Sequence, residues 1–325
     1  MQRHTLHRRD LLRLLAAAGS APLLSTWAHA LAPTDDWLTQ FNASSVDWKP
    51  AFTTVPTDLP SVRATVRGRF PDALSGTLFR TGPAGHDFAG QRYHHWFDGD
   101  GMTQRFAIDR GEVVHQGRYV DTPKRVSEQR AGRWLTEAFG TVPTGSTPPA
   151  SPDAMNVANI NLLPLGGELL ALWEGGSATR LDPRTLESRG FKTWRPDLAG
   201  LPFSAHPKVD PDGTVWNFGT GPVKGLLVLW EIAPDGALRR ADGVPVDNMP
   251  MVHDFAVTDR HLVFLMPPLV YEHTRKLAGA SFLDAHVWRP ELGMRVLVID
   301  KKDWSKRQTL LLPAGFLFHV GNAWS

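Results

Sequence analysis

The chain has 325 residues, 42% hydrophobic and 21% charged, a balance that excludes a disordered or fibrous protein and leaves room for one large core or two ordinary ones. Its 29 glycines and 26 prolines show no collagen-like period; they imply many tight turns and favour short strands over long helices. There is no cysteine, so disulfides, thiolate metal sites and a cysteine nucleophile are excluded, and 13 histidines remain as the main source of metal-binding or proton-transfer chemistry.

Residues 1–30 read as an export signal. They contain His7-Arg8-Arg9-Asp10-Leu11-Leu12, the apolar run Leu14-Leu15-Ala16-Ala17-Ala18-Gly19 and the small-x-small site Ala28-His29-Ala30. The paired arginines resemble the twin-arginine type, which carries folded and often metal-loaded proteins, so the expected location is the periplasm or another exported destination. The alternative is an amphipathic helix on a cytoplasmic protein. Four arginines against one aspartate lie in this leader, which takes the formal charge from +2 for the whole chain to −1 for the remainder. With Lys and Arg otherwise scattered, nothing points to a nucleic-acid partner. No stretch elsewhere reaches the roughly 18 apolar residues that span a bilayer.

Residues 31–60 read as an N-terminal extension and 61–325 as one β-domain. Strand-like runs follow at Thr77–Arg80, Gln104–Ile108, Glu112–Val114, Leu169–Trp173, Val215–Phe218, Leu226–Trp230, Leu262–Leu265 and Arg295–Ile299. Asp109-Arg110-Gly111, Pro211-Asp212-Gly213 and Pro234-Asp235-Gly236 supply turns in which glycine takes positive φ. This all-β pattern fits a sandwich, a barrel or a propeller, and strand spacing does not choose among them. Arg125–Phe139 and Leu269–Ala285 read as helices or, preferably, as loops over the fold. The second follows Pro267-Pro268, carries Tyr271, Leu277, Phe282 and Leu283, and as a helix would form a lid or a peripheral membrane contact. Val142–Pro152 is a flexible loop by composition.

Three histidines share a setting beside extended runs: Ser204-Ala205-His206-Pro207-Lys208, Val252-His253-Asp254-Phe255 and Phe318-His319-Val320-Gly321-Asn322-Ala323-Trp324. Too far apart for one helix, they meet only where separate strands deliver them to a shared axis. His86, His94, His95 and His115 read as structural. Asp98 and Asp100 lack the other oxygen ligands of a calcium loop and read as turn residues.

At these motifs the chain resembles the carotenoid cleavage oxygenase family of non-haem iron dioxygenases. The resemblance runs from about Ser61 to Trp324. It is carried by Leu74-Ser75-Gly76-Thr77-Leu78-Phe79-Arg80-Thr81-Gly82-Pro83, His94-His95-Trp96-Phe97-Asp98-Gly99-Asp100-Gly101-Met102, Arg118-Tyr119-Val120-Asp121-Thr122, Asn156-Val157-Ala158-Asn159, Leu170-Ala171-Leu172-Trp173-Glu174-Gly175-Gly176 and the three histidine motifs. It implies a seven-bladed β-propeller holding one ferrous ion, Fe(2+), through four histidines. His206, His253 and His319 match the first three, and Glu174 matches a glutamate that accepts a hydrogen bond from the far nitrogen of one of them. The family pattern runs on to a fourth histidine, whereas this sequence stops at Ser325, so the expectation is an incomplete propeller with three of the four ligands.

The implied reaction is dioxygen-dependent cleavage of a carbon–carbon double bond of an apolar carotenoid or apocarotenoid into two carbonyl products. A stilbene or other phenylpropanoid is the alternative substrate. For that reading Lys124 stands where a phenol-binding lysine would be presented, although a solvated surface lysine is the plainer account. A non-catalytic fragment and a zinc hydrolase complete the alternatives. The sequence is silent on oligomeric state.

Overall fold

Strands such as Leu169–Leu172 and Leu226–Ile232 are apolar on both faces, which requires a sheet packed on each side. The computed structural model, which describes residues 37–71 and 73–324, meets that requirement with four successive four-stranded antiparallel sheets. The leader expected over residues 1–30 lies outside the described residues.

The first sheet has the order β1 (Leu59–Arg63), β6 (Glu112–Tyr119), β5 (Asp100–Asp109), β2 (Gly76–Gly85), with the small hairpin β3 (Asp87–Phe88) and β4 (Gln91–Arg92) inserted. The second runs β10 (Ser188–Phe191), β9 (Thr179–Leu181), β8 (Glu168–Leu172), β7 (Asn161–Leu165). The third runs β11 (Lys208–Val209), β12 (Val215–Gly221), β13 (Leu226–Ile232), β14 (Leu238–Pro245). The fourth runs β15 (Ala256–Val257), β16 (His261–Met266), β19 (Met294–Asp300), β20 (Arg307–Leu312), interrupted by the hairpin β17 (Leu269–Tyr271) and β18 (His286–Trp288). All eight expected runs lie in strands or at their ends. The turn joining β5 to β6 has positive φ at both Arg110 (47°) and Gly111 (80°), the geometry that suits the right-handed twist of a hairpin.

Each sheet packs face to face on the next, and the period of two along a strand assigns its side chains to two different cores. On β13, Leu227 and Leu229 face Phe264 and Leu297 of the fourth sheet, while Val228, Trp230 and Ile232 face Leu170 and Leu172 of the second. On β8, Leu169 and Ala171 turn instead toward Val120 and Phe79 at the first sheet. Trp230 is fully buried and donates its indole N–H to Pro202 O at 3.0 Å. At one margin, β20 is exposed along its whole length, with Leu310, Leu311 and Leu312 facing solvent.

Each segment preferred as a loop holds a short helix and is otherwise loop or turn, apart from a strand that opens the second. Helix α2 (Pro123–Ala131; α1 is Trp37–Ala43) is set by its ends: Thr122 Oγ1 accepts from Arg125 N at 3.2 Å, Pro123 occupies the first turn, and Gly132 closes it at φ 64°. Leu269–Ala285 folds as β17, the short helix α3 (His273–Leu277) and the approach to β18. It packs onto the loop after α2: Leu283 N donates to Phe139 O at 2.9 Å, and Lys276 pairs with Glu137.

The Asp98-Gly99-Asp100-Gly101 string has a steric cause. A Cβ on Gly101 would lie 2.4 Å from Ala158 O and 2.6 Å from Val157 O, and one on Gly99 would lie 2.9 Å from both His86 Nδ1 and Pro83 Cβ. Gly101→Ala is therefore expected to lower stability by about 1–3 kcal/mol, the usual cost of overpacking against groups that cannot move aside. A urea midpoint equal to wild type would show that this backbone contact is not tight.

Candidate metal centre

Each of the three histidines is carried by an irregular segment next to a sheet. Ser204–His206 precedes β11 and is held by buried Asn217, whose Nδ2 donates to Ser204 O at 2.8 Å, and by Asn161 Nδ2, which donates to Ala205 O at 2.9 Å. His253 precedes β15, with fully buried Phe255 anchoring the segment in the core. His319 follows β20.

One ring nitrogen from each of His206, His253 and His319 falls within 4.8 Å of the others, and among the described residues no other group of three or more potential ligands comes together. His206 Nε2 and His253 Nε2 are 2.8 Å apart, and the ring of His319 stands 5.0 Å from both of theirs. Glu174, just beyond β8, lies with Oε2 2.8 Å from His253 Nδ1.

The electrostatics act in opposite directions on two of the rings. Burial, then the neighbouring His253, pushes His206 down to about 4. Burial acts downward on His253 too, but the hydrogen bond and charge of Glu174 outweigh it and the net direction is upward. With the His253 Nδ1–H donated to Glu174, Nε2 carries the lone pair. Two imidazole nitrogens about 2.1 Å from one divalent ion and at right angles stand about 3 Å apart, close to the spacing between His206 and His253. Three imidazole nitrogens without thiolate or carboxylate suit a borderline first-row divalent ion.

Aromatic rings wall the cluster. Phe318 packs edge-on to His253 at 5.3 Å and meets Phe97 at 6.4 Å. Phe97 continues to Phe139 at 5.9 Å, and Phe139 to Phe282 at 5.8 Å. This wall joins the first sheet's Trp96-Phe97-Asp98 turn, the loop after α2, the insertion in the fourth sheet and the segment of His319. Phe282 was singled out in the sequence only as part of a surface segment; its place against Phe139 depends on contacts between distant residues.

His86, His94, His95 and His115 stand outside the cluster; His115 Nε2 is 3.0 Å from Gln104 Oε1. Asp98 is a buried acceptor for Gly140 N at 2.9 Å and Thr141 Oγ1 at 2.6 Å. The surface account of Lys124 is overturned. Its side chain is fully buried, with Nζ 2.7 Å from Tyr93 Oη and 2.6 Å from Glu128 Oε2. Burial alone would favour its neutral form, but Tyr93, Asp100 and Glu128 together reverse this and raise its pKa, so it is charged. Asp100 Oδ1 lies 3.6 Å from Nζ and is buried without a hydrogen-bond partner. Tyr93, which completes this cluster, carried no signal in the sequence beyond its rarity among 3 tyrosines.

A family profile described as Retinal pigment epithelial membrane protein matches residues 52–325. The chain is 32% identical over 298 residues to apocarotenoid-15,15'-oxygenase of Synechocystis, covering 87% of this chain and 61% of that protein. It is 30% identical over 264 residues to isoeugenol monooxygenase of Pseudomonas nitroreducens, covering 80% of this chain and 54% of that one. Resveratrol cleavage oxygenase 1 of Aspergillus fumigatus is 31% identical over 241 residues, covering 73% and 47%. The crystal structure of cobalt-substituted Synechocystis apocarotenoid oxygenase superposes with a TM-score of 0.74 at 30% identity, covering 84% of this chain and 60% of that one. The chain thus spans between about half and 61% of the length of these relatives.

Proposed function

The chain belongs to the retinal pigment epithelial membrane protein, or carotenoid oxygenase, family, and on that premise we propose that it is a non-haem Fe(2+)-dependent dioxygenase that cleaves a carbon–carbon double bond of a carotenoid or apocarotenoid. The observation that carries this reading is the convergence of His206, His253 and His319, with Glu174 on the far nitrogen of His253. These three histidines would hold the iron, which when bound supplies the binding and activation of dioxygen. One oxygen atom goes to each carbon of the broken double bond, so two carbonyls form without an external reductant.

The protein's own part is positional. Glu174 fixes the tautomer and ring angle of His253. Phe318 and Phe97 give an apolar substrate a surface beside the histidines.

A second reading, a phenolic stilbene or related aryl alkene as substrate, is favoured by the buried Lys124 cluster. A phenol hydroxyl there would accept from Lys124 Nζ and donate to Asp100 Oδ1, satisfying an acceptor that has no partner. The test is turnover by the purified, iron-supplied chain of an apocarotenal and of a hydroxystilbene, each also with Lys124→Met. Apocarotenal cleavage insensitive to Lys124→Met supports the first reading. Cleavage of the stilbene alone, lost in Lys124→Met, overturns it in favour of the second. Stoichiometric iron without turnover of either substrate overturns both.

A further inference from the structure

Three segments far apart in sequence must place their histidines to within a fraction of an ångström, and one buried carboxylate touches all three. Asp254 follows His253 directly, and its side chain is 2% exposed. Its Oδ1 accepts from Phe255 N at 2.8 Å and pairs with Lys208 Nζ at 2.8 Å, two residues beyond His206. Its Oδ2 accepts from Val320 N at 2.9 Å, one residue beyond His319. Among the described residues no other hydrogen bond ties residues 313–324 to the rest of the protein.

We propose that Asp254 is the positioning residue of the histidine cluster: its carboxylate locks the His206 and His319 segments to that of His253 and so sets the affinity of the cluster for metal. The inference rests on the reading that these histidines bind metal. A carboxylate suits the task because it only accepts, and both oxygens are engaged. Asparagine would present an N–H2 group to either Lys208 or Val320 N–H, a donor facing a donor. With the N–H2 toward Val320 the segment of His319 is held by packing alone, and with it toward Lys208 the tie to the His206 segment is lost instead.

The test is a cobalt titration of the full chain, followed by visible absorption, with thermal denaturation of the metal-free protein alongside. Asp254→Asn is expected to weaken cobalt binding by about 10–100-fold, as loss of an outer partner of a ligand does, and to shift the cobalt bands toward those of His319→Ala. A merely structural role would lower the denaturation midpoint and leave the bands unchanged; that outcome, or an affinity equal to wild type, overturns the proposal. Lys208→Met removes the tie from Asp254 to the His206 segment at a partly exposed side chain, so it serves if Asp254→Asn does not fold. Weakened binding in Lys208→Met supports the proposal and wild-type binding overturns it. If the wild-type chain takes up no cobalt, the metal reading itself falls and this inference with it.

Discussion

His253→Ala is expected to strip the protein of bound metal and leave it folded. His253 is the central member of the cluster: its Nε2 stands against His206, its ring faces His319 and Phe318, and its Nδ1 is held by Glu174. Without it two nitrogens remain, and Glu174 loses the group that fixes its place. The fall in affinity should exceed the about 10–100-fold that loss of an outer partner costs, because a ligand itself is removed. Metal per chain after gel filtration, measured by plasma emission, reads the effect directly. His115→Ala, whose ring lies against Gln104 outside the cluster, should retain the wild-type content. Equal metal in His253→Ala and wild type would mean that the ion, if any, sits elsewhere.

Phe255→Ala should be the most damaging single truncation near the site. The side chain is fully buried, stacked on Phe264 with centroids 5.2 Å apart and set edge-on to Phe218 at 5.1 Å. It belongs to the core that joins the third and fourth sheets. Emptying such a position costs about 3–5 kcal/mol, the sum of lost transfer energy and an incompletely collapsed cavity. Denaturant unfolding measures it; a loss below about 1 kcal/mol, within the ordinary range for point substitutions, would show that the three rings close over the gap.

The strands were legible because their signal is local. Leu169–Trp173 and Leu226–Trp230 announce burial on both faces, and the glycine turns mark where chains reverse. The choice among sandwich, barrel and propeller was not legible in the strand pattern, since it depends on which sheet covers which face and Leu227 and Val228 are equally apolar whichever partners they meet; the propeller came from the family resemblance of the motifs, and the likeness to the solved apocarotenoid oxygenase bears it out. The histidine motifs and Glu174 were recognisable as residues, and the structure brings all four together. Lys124 misled because lysine usually lies in water; its buried setting is made by Tyr93, Asp100 and Glu128, two of them distant in sequence. Helix α2 is only nine residues of mostly polar sequence, so Thr122-Pro123 and Gly132 were the only usable signs of it. Asp254 carried no signal of its own in the sequence, because its partners Lys208 and Val320 lie tens of residues away on either side.

The insertion between β16 and β19 also bears on how the molecule is made. Its ion pair from Lys276 to Glu137 joins positions 139 residues apart, and the Phe139–Phe282 contact lies in the same strap. Contacts of that span form only after the chain between them is ordered, because loop closure must be met before the contact contributes. The individual sheets are built from neighbouring strands and are suited to early formation. The aromatic wall beside the histidines belongs to the opposite end of the sequence of events: it is completed when the fourth sheet reaches back to the first, so a nascent chain acquires its sheets before it acquires an apolar face for a substrate.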